Sequence, residues 1–127
     1  MKEIFVFGSN LAGRHGKGAA LFAKQNHGAI YGQGVGIQGN SYAIPTKDRF
    51  IKTLPLSEIR KHVNNFVQFA IAHPELTFNV TRIGCGLAKL NSNDVASLFI
   101  NAPDNCYFDE LWKPCLGNTK NYWGTFK

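Results

Sequence analysis

The chain lacks the features of membrane-spanning, secreted and disulfide-rich proteins. No apolar run approaches the roughly 18 residues that cross a bilayer, and no basic segment followed by an apolar stretch marks a secretory signal. The three cysteines, Cys85, Cys106 and Cys115, are odd in number and lack C-x-x-C spacing, which argues against a disulfide framework and a zinc site. We therefore expect a soluble, cytoplasmic protein with reduced thiols and no membrane partner.

Acidic residues are scarce too. Eight Asp and Glu face fourteen Lys and Arg, which gives a net charge of +6 at pH 7, and such an excess attracts phosphates and nucleic acids. The four histidines show no metal-ligand spacing, so we expect neither a metal nor a cofactor. A length of 127 residues with 44% hydrophobic content indicates a single folded domain over residues 1–127.

Strand and helix patterns alternate three times, with glycine turns between them. Apolar and β-branched runs predict strands over residues 4–7, 41–44, 76–83 and 106–108. Apolar spacing of three and four residues predicts helices over residues 19–26 and 57–73, and another that begins at residue 92. This alternation predicts an α/β domain with a largely parallel sheet between helices.

Two segments show neither pattern. Residues 28–41 contain five glycines without periodicity, which predicts a mobile loop that could fold over a ligand. Residues 109–127 carry aromatic residues among polar ones, and we expect an irregular tail packed on the domain. These aromatic residues are Trp112, Tyr122, Trp123 and Phe126.

The candidate site follows from where the glycine turns fall. Ligands of parallel sheets bind at the carboxyl ends of the strands. Glycine turns at residues 13–18 and 84–86, and also Lys47, all follow predicted strands. Backbone amides crowded in such turns, one of them at a helix N-terminus, suit a phosphate group, although the glycines could instead only close tight bends. Positive charge in the first turn comes from Arg14, His15 and Lys17.

The motifs GSN, RHGKGAALFAKQNHG, IPTK and TRIGCGLAKL, in this order between residues 5 and 100, resemble the macrodomains. The resemblance is greatest to the branch that contains terminal ADP-ribose glycohydrolase and the antitoxin macrodomains that remove ADP-ribose from DNA. It implies a three-layer α/β fold, with a mostly parallel sheet flanked by helices. It also implies binding of ADP-ribose, or of ADP-ribosylated protein or nucleic acid, without a cofactor.

The resemblance also assigns roles to individual residues. Lys47 matches the lysine that attacks the anomeric carbon and holds the sugar covalently, and Asn10 matches a polar position near the reactive ribose. These two are the expected catalytic residues. The expected ligand-binding residues are Ser9, Asn10, His15, Gly16, Lys17, Gly18, Ala19, Thr46, Lys47, Gly84, Cys85, Gly86 and Leu87.

The sequence departs from this branch at two points. In the glycohydrolase the second glycine turn ends in an aspartate that completes the reaction as acid or base, and here that position is Ala88. Asp48 and His15 are alternative proton donors. Macrodomains also usually begin with a strand and a Gly-Asp pair that holds adenine, which this sequence does not display, so the aromatic tail is a candidate for that role.

Three kinds of function fit these observations. The first is an ADP-ribosyl hydrolase with Lys47 as the nucleophile, whose non-catalytic counterpart is an ADP-ribose reader. The second is a basic nucleic-acid-binding module, for which the scattered lysines and arginines form no recognisable motif. The third is a structural or partner-binding domain with a vestigial pocket. The acceptor, the linkage and the oligomeric state cannot be inferred from the sequence.

Overall fold

The computed structural model describes residues 2–86 and 88–127. Their strands are β1 (Lys2–Asn10), β2 (Gly36–Gln38), β3 (Ser41–Lys47), β4 (Leu76–Val80), β5 (Cys106–Asp109) and β6 (Asn121–Gly124). These strands form a sheet of order β2-β3-β1-β4-β5-β6. The short edge strand β2 runs antiparallel to β3, and the other neighbouring pairs are parallel.

Helices cover both faces of this sheet. They are α1 (Gly18–Asn26), α2 (Leu56–Ala72), α3 (Ser92–Ala96) and α4 (Lys113–Leu116), with 3-10 turns at Ser97–Phe99 and Glu110–Trp112. Alternate residues of β1 face opposite sides of the sheet. Ile4 and Val6 pack with α2, whereas Phe5 and Phe7 pack with α1. The predicted α/β class, a mostly parallel sheet flanked by helices, is confirmed.

The helix α2 carries the larger core because its apolar residues recur on one face. Ile59, Val63, Phe66 and Ala70 are fully buried against the sheet. The helix begins directly after Pro55. Ser57, at which the predicted helix begins, therefore lies inside the first turn.

The tail contains more regular structure than the sequence predicts. Residues 109–127 include a 3-10 turn, α4 and the parallel edge strand β6, so the prediction of an irregular tail is wrong. Trp112 is completely buried and contacts Phe99 and Phe108 at centroid distances of 5.6 and 6.4 Å. The tail is therefore part of the core rather than a segment laid on its surface.

The glycine-rich segment 28–41 also contains a strand, β2, and is organised around a buried side chain. The Oε1 atom of Gln38 accepts a hydrogen bond from the backbone N–H of Ile30 at 2.7 Å, and its Nε2 donates to the Gln33 carbonyl at 3.1 Å. Gln38 is only 3% exposed. The hydrogen bonds of the Gln38 side-chain amide thus connect separate parts of the segment for which the sequence predicts a mobile loop.

None of the helices in the described part of the chain is long and apolar enough to cross a membrane.

Candidate functional site

A cleft of about 620 Å³ opens at the carboxyl edge of the sheet. The ends of β1, β3, β4 and β5 form its floor, and the loops that follow these strands form its walls. Ligands of parallel sheets bind at this edge, where the chain leaves each strand and the loops diverge. Both glycine turns that the sequence singled out line this one cleft, the first through Gly16 and Gly18 and the second through Gly84 and Gly86.

The first wall is the N-terminus of α1. Residues 16–20 all line the cleft, and Gly18 begins the helix at φ +58°, a conformation that favours glycine. Among the described residues, no side chain caps this helix, and its first turn has no acidic residue. By contrast, Asn91 caps α3 by accepting hydrogen bonds from the amides of Asn93 and Asp94. The first amides of α1 and their positive dipole are thus available to an anion.

The second wall is the turn after β4. Gly84 adopts φ +73°, and a β-carbon there would lie 2.7 Å from Cδ1 of Leu90, so any other residue would be strained at this position. Gly86 also lines the cleft, and a β-carbon there would meet nothing within 4 Å. Cys85 is half-buried and lines the cleft, and its Sγ accepts a hydrogen bond from the Ser92 hydroxyl at 3.6 Å. Leu87, expected in this turn, lies outside the described residues.

The electrostatics of the cleft favour a negatively charged ligand. Four cationic side chains line it, from Arg14, Lys17, Lys47 and Arg82, against the single carboxylate of Asp109. Within the described part of the chain, none of these cations forms an ion pair within 4.0 Å. Their charge therefore acts on whatever occupies the cleft.

Lys47 and Asn10 meet at the end of β1 and β3. They are Cα partners across the two strands, next to an irregularity in the pairing at Ser9 and Asn10. The Lys47 carbonyl accepts a hydrogen bond from the Leu11 amide at 3.0 Å, and the half-buried Lys47 side chain lines the cleft. The backbone of this lysine is thus fixed beside the first glycine turn.

The side chain of Asn10 forms hydrogen bonds within the loop that follows β1. Its Oδ1 accepts from the Arg14 amide at 2.9 Å, and its Nδ2 donates to the Arg14 carbonyl at 3.0 Å. One N–H of the side-chain amide remains for a ligand. Asn10 therefore shapes the loop between β1 and α1 and also lines the cleft.

Two more predicted residues lie in the cleft wall with their hydroxyl groups already bonded. The Ser9 hydroxyl donates to the Gly34 carbonyl, and the Thr46 hydroxyl donates to the Ser9 carbonyl at 3.4 Å. Both side chains are buried. Ser9 thus joins β1 to the glycine-rich segment, and Thr46 joins β3 to β1.

His15, which is expected among the ligand-binding residues, does not line the cleft. The ring is completely buried, packs edge-on against Phe7, and has its Nε2 within 2.9 Å of the Gln33 carbonyl and 3.2 Å of the Gln38 Oε1. Since both neighbours are acceptors, Nε2 is the donor. His15 thus holds segment 28–38 against β1.

Neither alternative proton donor lines the cleft. His15 is buried under the glycine-rich segment, and the Oδ1 atom of Asp48 accepts from the amides of Phe50 and Lys52 at 2.8 and 3.0 Å. Ala88 lines the cleft, and its carbonyl accepts from the Thr53 hydroxyl at 3.2 Å. Among the described residues, no cluster of three or more His, Cys, Asp or Glu side chains is placed to hold a metal ion.

Sequence reasoning missed several residues of the cleft. Asp109 ends β5, Phe126 follows β6, and Tyr31 belongs to the glycine-rich segment. Tyr31 is 57% exposed, and the Lys24 ammonium group lies 5.2 Å from its ring centre. Asp109 lies at the end of a strand, as Lys47 does. This position is the signal from which the sequence could have predicted its place in the cleft. Phe126 is one of the tail aromatics that the sequence offered for adenine, but no pattern singled it out from the others.

Comparison with known proteins identifies the fold. The macrodomain of Mycobacterium tuberculosis DarG superimposes with a TM-score of 0.63 over 84% of this chain and 87% of that chain, at 20% identity. The chain has the macrodomain fold. A protein of unknown function from Bacteroides thetaiotaomicron superimposes with a TM-score of 0.54 over 78% of each chain, also at 20% identity. No protein-family model and no curated protein matches the sequence. The three-layer macrodomain architecture expected from the sequence is thereby confirmed.

Proposed function

We propose that this chain binds ADP-ribose in the cleft and cleaves an ADP-ribosyl bond with Lys47 as the nucleophile. The observation that carries the proposal is that both glycine turns line one cationic cleft. A diphosphate fits between them because the uncapped N-terminus of α1 offers amides from one side. The macrodomain fold supports ADP-ribose as the ligand.

The position of Lys47 supports a chemical role. As the neutral amine, Nζ attacks the anomeric carbon of the distal ribose, and the bond from this carbon to the acceptor breaks. The electron pair leaves with the acceptor, which takes up the proton released by the attacking nitrogen. Water then adds to the anomeric carbon, the carbon–nitrogen bond breaks, and free ADP-ribose leaves while the lysine amine is regenerated.

Ligand binding is tested at Gly16, where a β-carbon would meet nothing within 4 Å. Calorimetry compares ADP-ribose, ADP and ribose 5-phosphate on wild type, Gly16→Glu and Gly16→Gln. The two variants add side chains of the same size, but only Glu places a negative charge at the start of α1. We expect Gly16→Glu to bind ADP-ribose more weakly than Gly16→Gln. Absence of ADP-ribose binding to the wild type would overturn the proposal.

Catalysis is tested separately at Lys47. Wild type, Lys47→Ala and Lys47→Arg are incubated with ADP-ribosylated protein and with ADP-ribosylated DNA. Arginine keeps the positive charge but is no nucleophile, so release of ADP-ribose should be lost in both variants while binding survives in Lys47→Arg. Equal release by all three proteins would remove Lys47 from the mechanism.

A non-catalytic ADP-ribose reader is the alternative that Ala88 favours. The cleft has no carboxylate next to Lys47 among the described residues, since Asp109, its only acid, ends a different strand. A reader binds ADP-ribose and leaves the bond intact. Tight binding without release from any ADP-ribosylated substrate identifies this alternative.

A nucleic-acid-binding module is the candidate from a different class. The turn at residues 48–52 exposes 82% of Phe50 between Arg49 and Lys52, beside the cleft residue Ile51. Basic and aromatic side chains together suit single-stranded nucleic acid. Filter binding across a salt series distinguishes it, because a steep salt dependence without competition by ADP-ribose supports this function.

A further inference from the structure

The glycine-rich segment over residues 28–39 is a closed loop. Its two ends meet at Gly28 and Gly39, where a β-carbon on Gly28 would lie 3.1 Å from Cα of Gly39. The His27 carbonyl accepts a hydrogen bond from the Asn40 amide at 2.8 Å and joins the flanking residues. Compact surface loops whose ends meet in this way are frequently functional.

Polar side chains fill the inside of this loop. His15 and Gln38 are both buried beneath it, and the His15 Nε2 donates to the Gln33 carbonyl at 2.9 Å. The Gln38 side-chain amide bonds to the Ile30 amide and to the same Gln33 carbonyl. Because these hydrogen bonds occupy the interior, the loop cannot turn its apolar side chains inward without breaking them.

Apolar side chains cover the outside of the loop. The exposed fraction is 52% for Ile30, 57% for Tyr31, 45% for Val35 and 40% for Ile37, and we name these four residues the outer patch. This arrangement is the reverse of the usual one, in which apolar groups are buried and polar groups face water. Exposed apolar side chains that are grouped in this way mark a surface that another molecule covers.

The outer patch lies in the longest uncharged stretch of the chain. No Asp, Glu, Lys or Arg occurs between Lys24 and Lys47, although the chain carries a net charge of +6. Lys24 approaches the ring of Tyr31 at 5.2 Å and lies at the rim of the patch. An acidic partner or a phosphate backbone is bound by cations within the contact, whereas two cationic copies of this chain repel each other least where both surfaces are uncharged.

The edge strand β2 is not free to receive an extended peptide. The carbonyls of Val35 and Ile37 accept hydrogen bonds from Gln33 Nε2 at 3.2 and 3.1 Å. A peptide that adds a strand to a sheet binds through backbone groups of this kind. The contact that the loop offers is therefore one between side chains.

We propose that the outer patch is the centre of an interface between two copies of this chain, related by a two-fold axis. Such an axis places the same patch on both sides, so apolar side chains meet apolar side chains and no charge is left unpaired. Depletion of charge and enrichment of apolar and aromatic residues are typical of interface centres. The proposal is independent of the proposed function, because only Tyr31 of the four residues lines the cleft.

The interface is tested by placing the same negative charge inside and outside the patch. Sedimentation equilibrium of the full chain gives the dimer dissociation constant for wild type, Ile30→Glu and Ile100→Glu. Ile30 and Ile100 are 52% and 56% exposed, and both substitutions change the net charge equally. We expect wild type and Ile100→Glu to dimerise alike and the dissociation constant of Ile30→Glu to be at least about 10-fold larger, because the two-fold axis brings the two new carboxylates together.

Salt separates an apolar contact from one held by charge. Salt screens the repulsion between two cationic copies, so the wild-type dimer should be tighter at about 0.5 M than at about 0.05 M salt. A dimer that weakens as salt is added would contradict the apolar contact.

Two further results would overturn the proposal. A wild type that stays monomeric up to about 1 mM excludes the dimer, and a different partner then covers the patch. Equal dissociation constants for Ile30→Glu and Ile100→Glu place the dimer contact elsewhere. Urea unfolding of both variants separates loss of the dimer from loss of the fold, and Val35→Glu repeats the test at a second position of the patch.

Discussion

Gly8 and Gly84 lie in direct contact, and a β-carbon on Gly8 would stand 3.3 Å from the backbone nitrogen of Gly84. The end of β1 and the turn after β4 therefore pack backbone against backbone. Because both glycines line the cleft, we expect this contact to help set the width of the cleft.

Enlarging Gly8 tests whether this contact sets the cleft width. In Gly8→Ala the added methyl group pushes the turn at Gly84 away, so we expect ADP-ribose affinity to fall and the free energy of unfolding to drop by about 1–3 kcal/mol. For the free energy of unfolding, Gly16→Ala is the matched control, because its methyl group meets nothing within 4 Å. Calorimetry measures the affinity for ADP-ribose, and urea unfolding measures the free energy of unfolding. Equal free energies of unfolding for the two variants would contradict the prediction.

Restoring a carboxylate at residue 88 tests the chemical role of the cleft. Ala88 lines the cleft in the turn after β4, and aspartate there supplies the acid or base that is missing beside Lys47. We expect Ala88→Asp to release ADP-ribose from a modified substrate about 100-fold faster than wild type, within the range for general acid–base catalysis. Ala88→Asn, of the same size, should show no gain. Equal rates for Asp and Asn would exclude this role.

Trp112 tests whether the tail belongs to the core. The side chain is completely buried, so Trp112→Ala should lower the free energy of unfolding by about 3–5 kcal/mol. Its Nε1 has no hydrogen-bond partner among the described residues, so Trp112→Phe loses no bond and should cost clearly less. Chemical denaturation measures both variants. A small loss of unfolding free energy in Trp112→Ala would contradict the packing of this tail residue in the core.

The stability of the fold should fall in mild acid because of partly buried histidines. Burial lowers the pKa of His27 below its ordinary value of 6.5, although Glu3 opposes this, and burial also lowers the pKa of His62. The unfolded chain then takes up protons first, so the stabilisation is present above about pH 6.5 and is lost as the pH falls through the folded pKa. Urea unfolding at about pH 7.5 and about pH 5.5 should show a smaller pH-dependent loss in His27→Gln than in wild type. Identical pH-dependent losses of stability in the two proteins would contradict the role of His27.

The facing glycine turns could be predicted from the sequence because they depend on a rule of topology. Strands that alternate with helices run parallel, so the turns at residues 13–18 and 84–86 had to share one edge of the sheet. The same rule placed Lys47 at that edge. No single side-chain contact had to be known.

What the sequence could not give depends on packing between distant segments. His15 follows Arg14 in a basic glycine turn, and only the fold reveals that its ring is buried beneath segment 28–38. Phe126 joins the cleft because β6 returns beside β5 and brings the tail back to Asp109. Such contacts leave no local periodicity in the chain.

The central claim is that both glycine turns grip one diphosphate through backbone amides. Titration of ¹⁵N-labelled protein with ADP-ribose, followed by amide chemical shifts, tests it most directly. The account predicts that the amides of Gly18, Ala19 and Gly86 shift together with a single dissociation constant, and that ADP moves the same amides. Shifts confined to one of the two turns, or to neither, would contradict it.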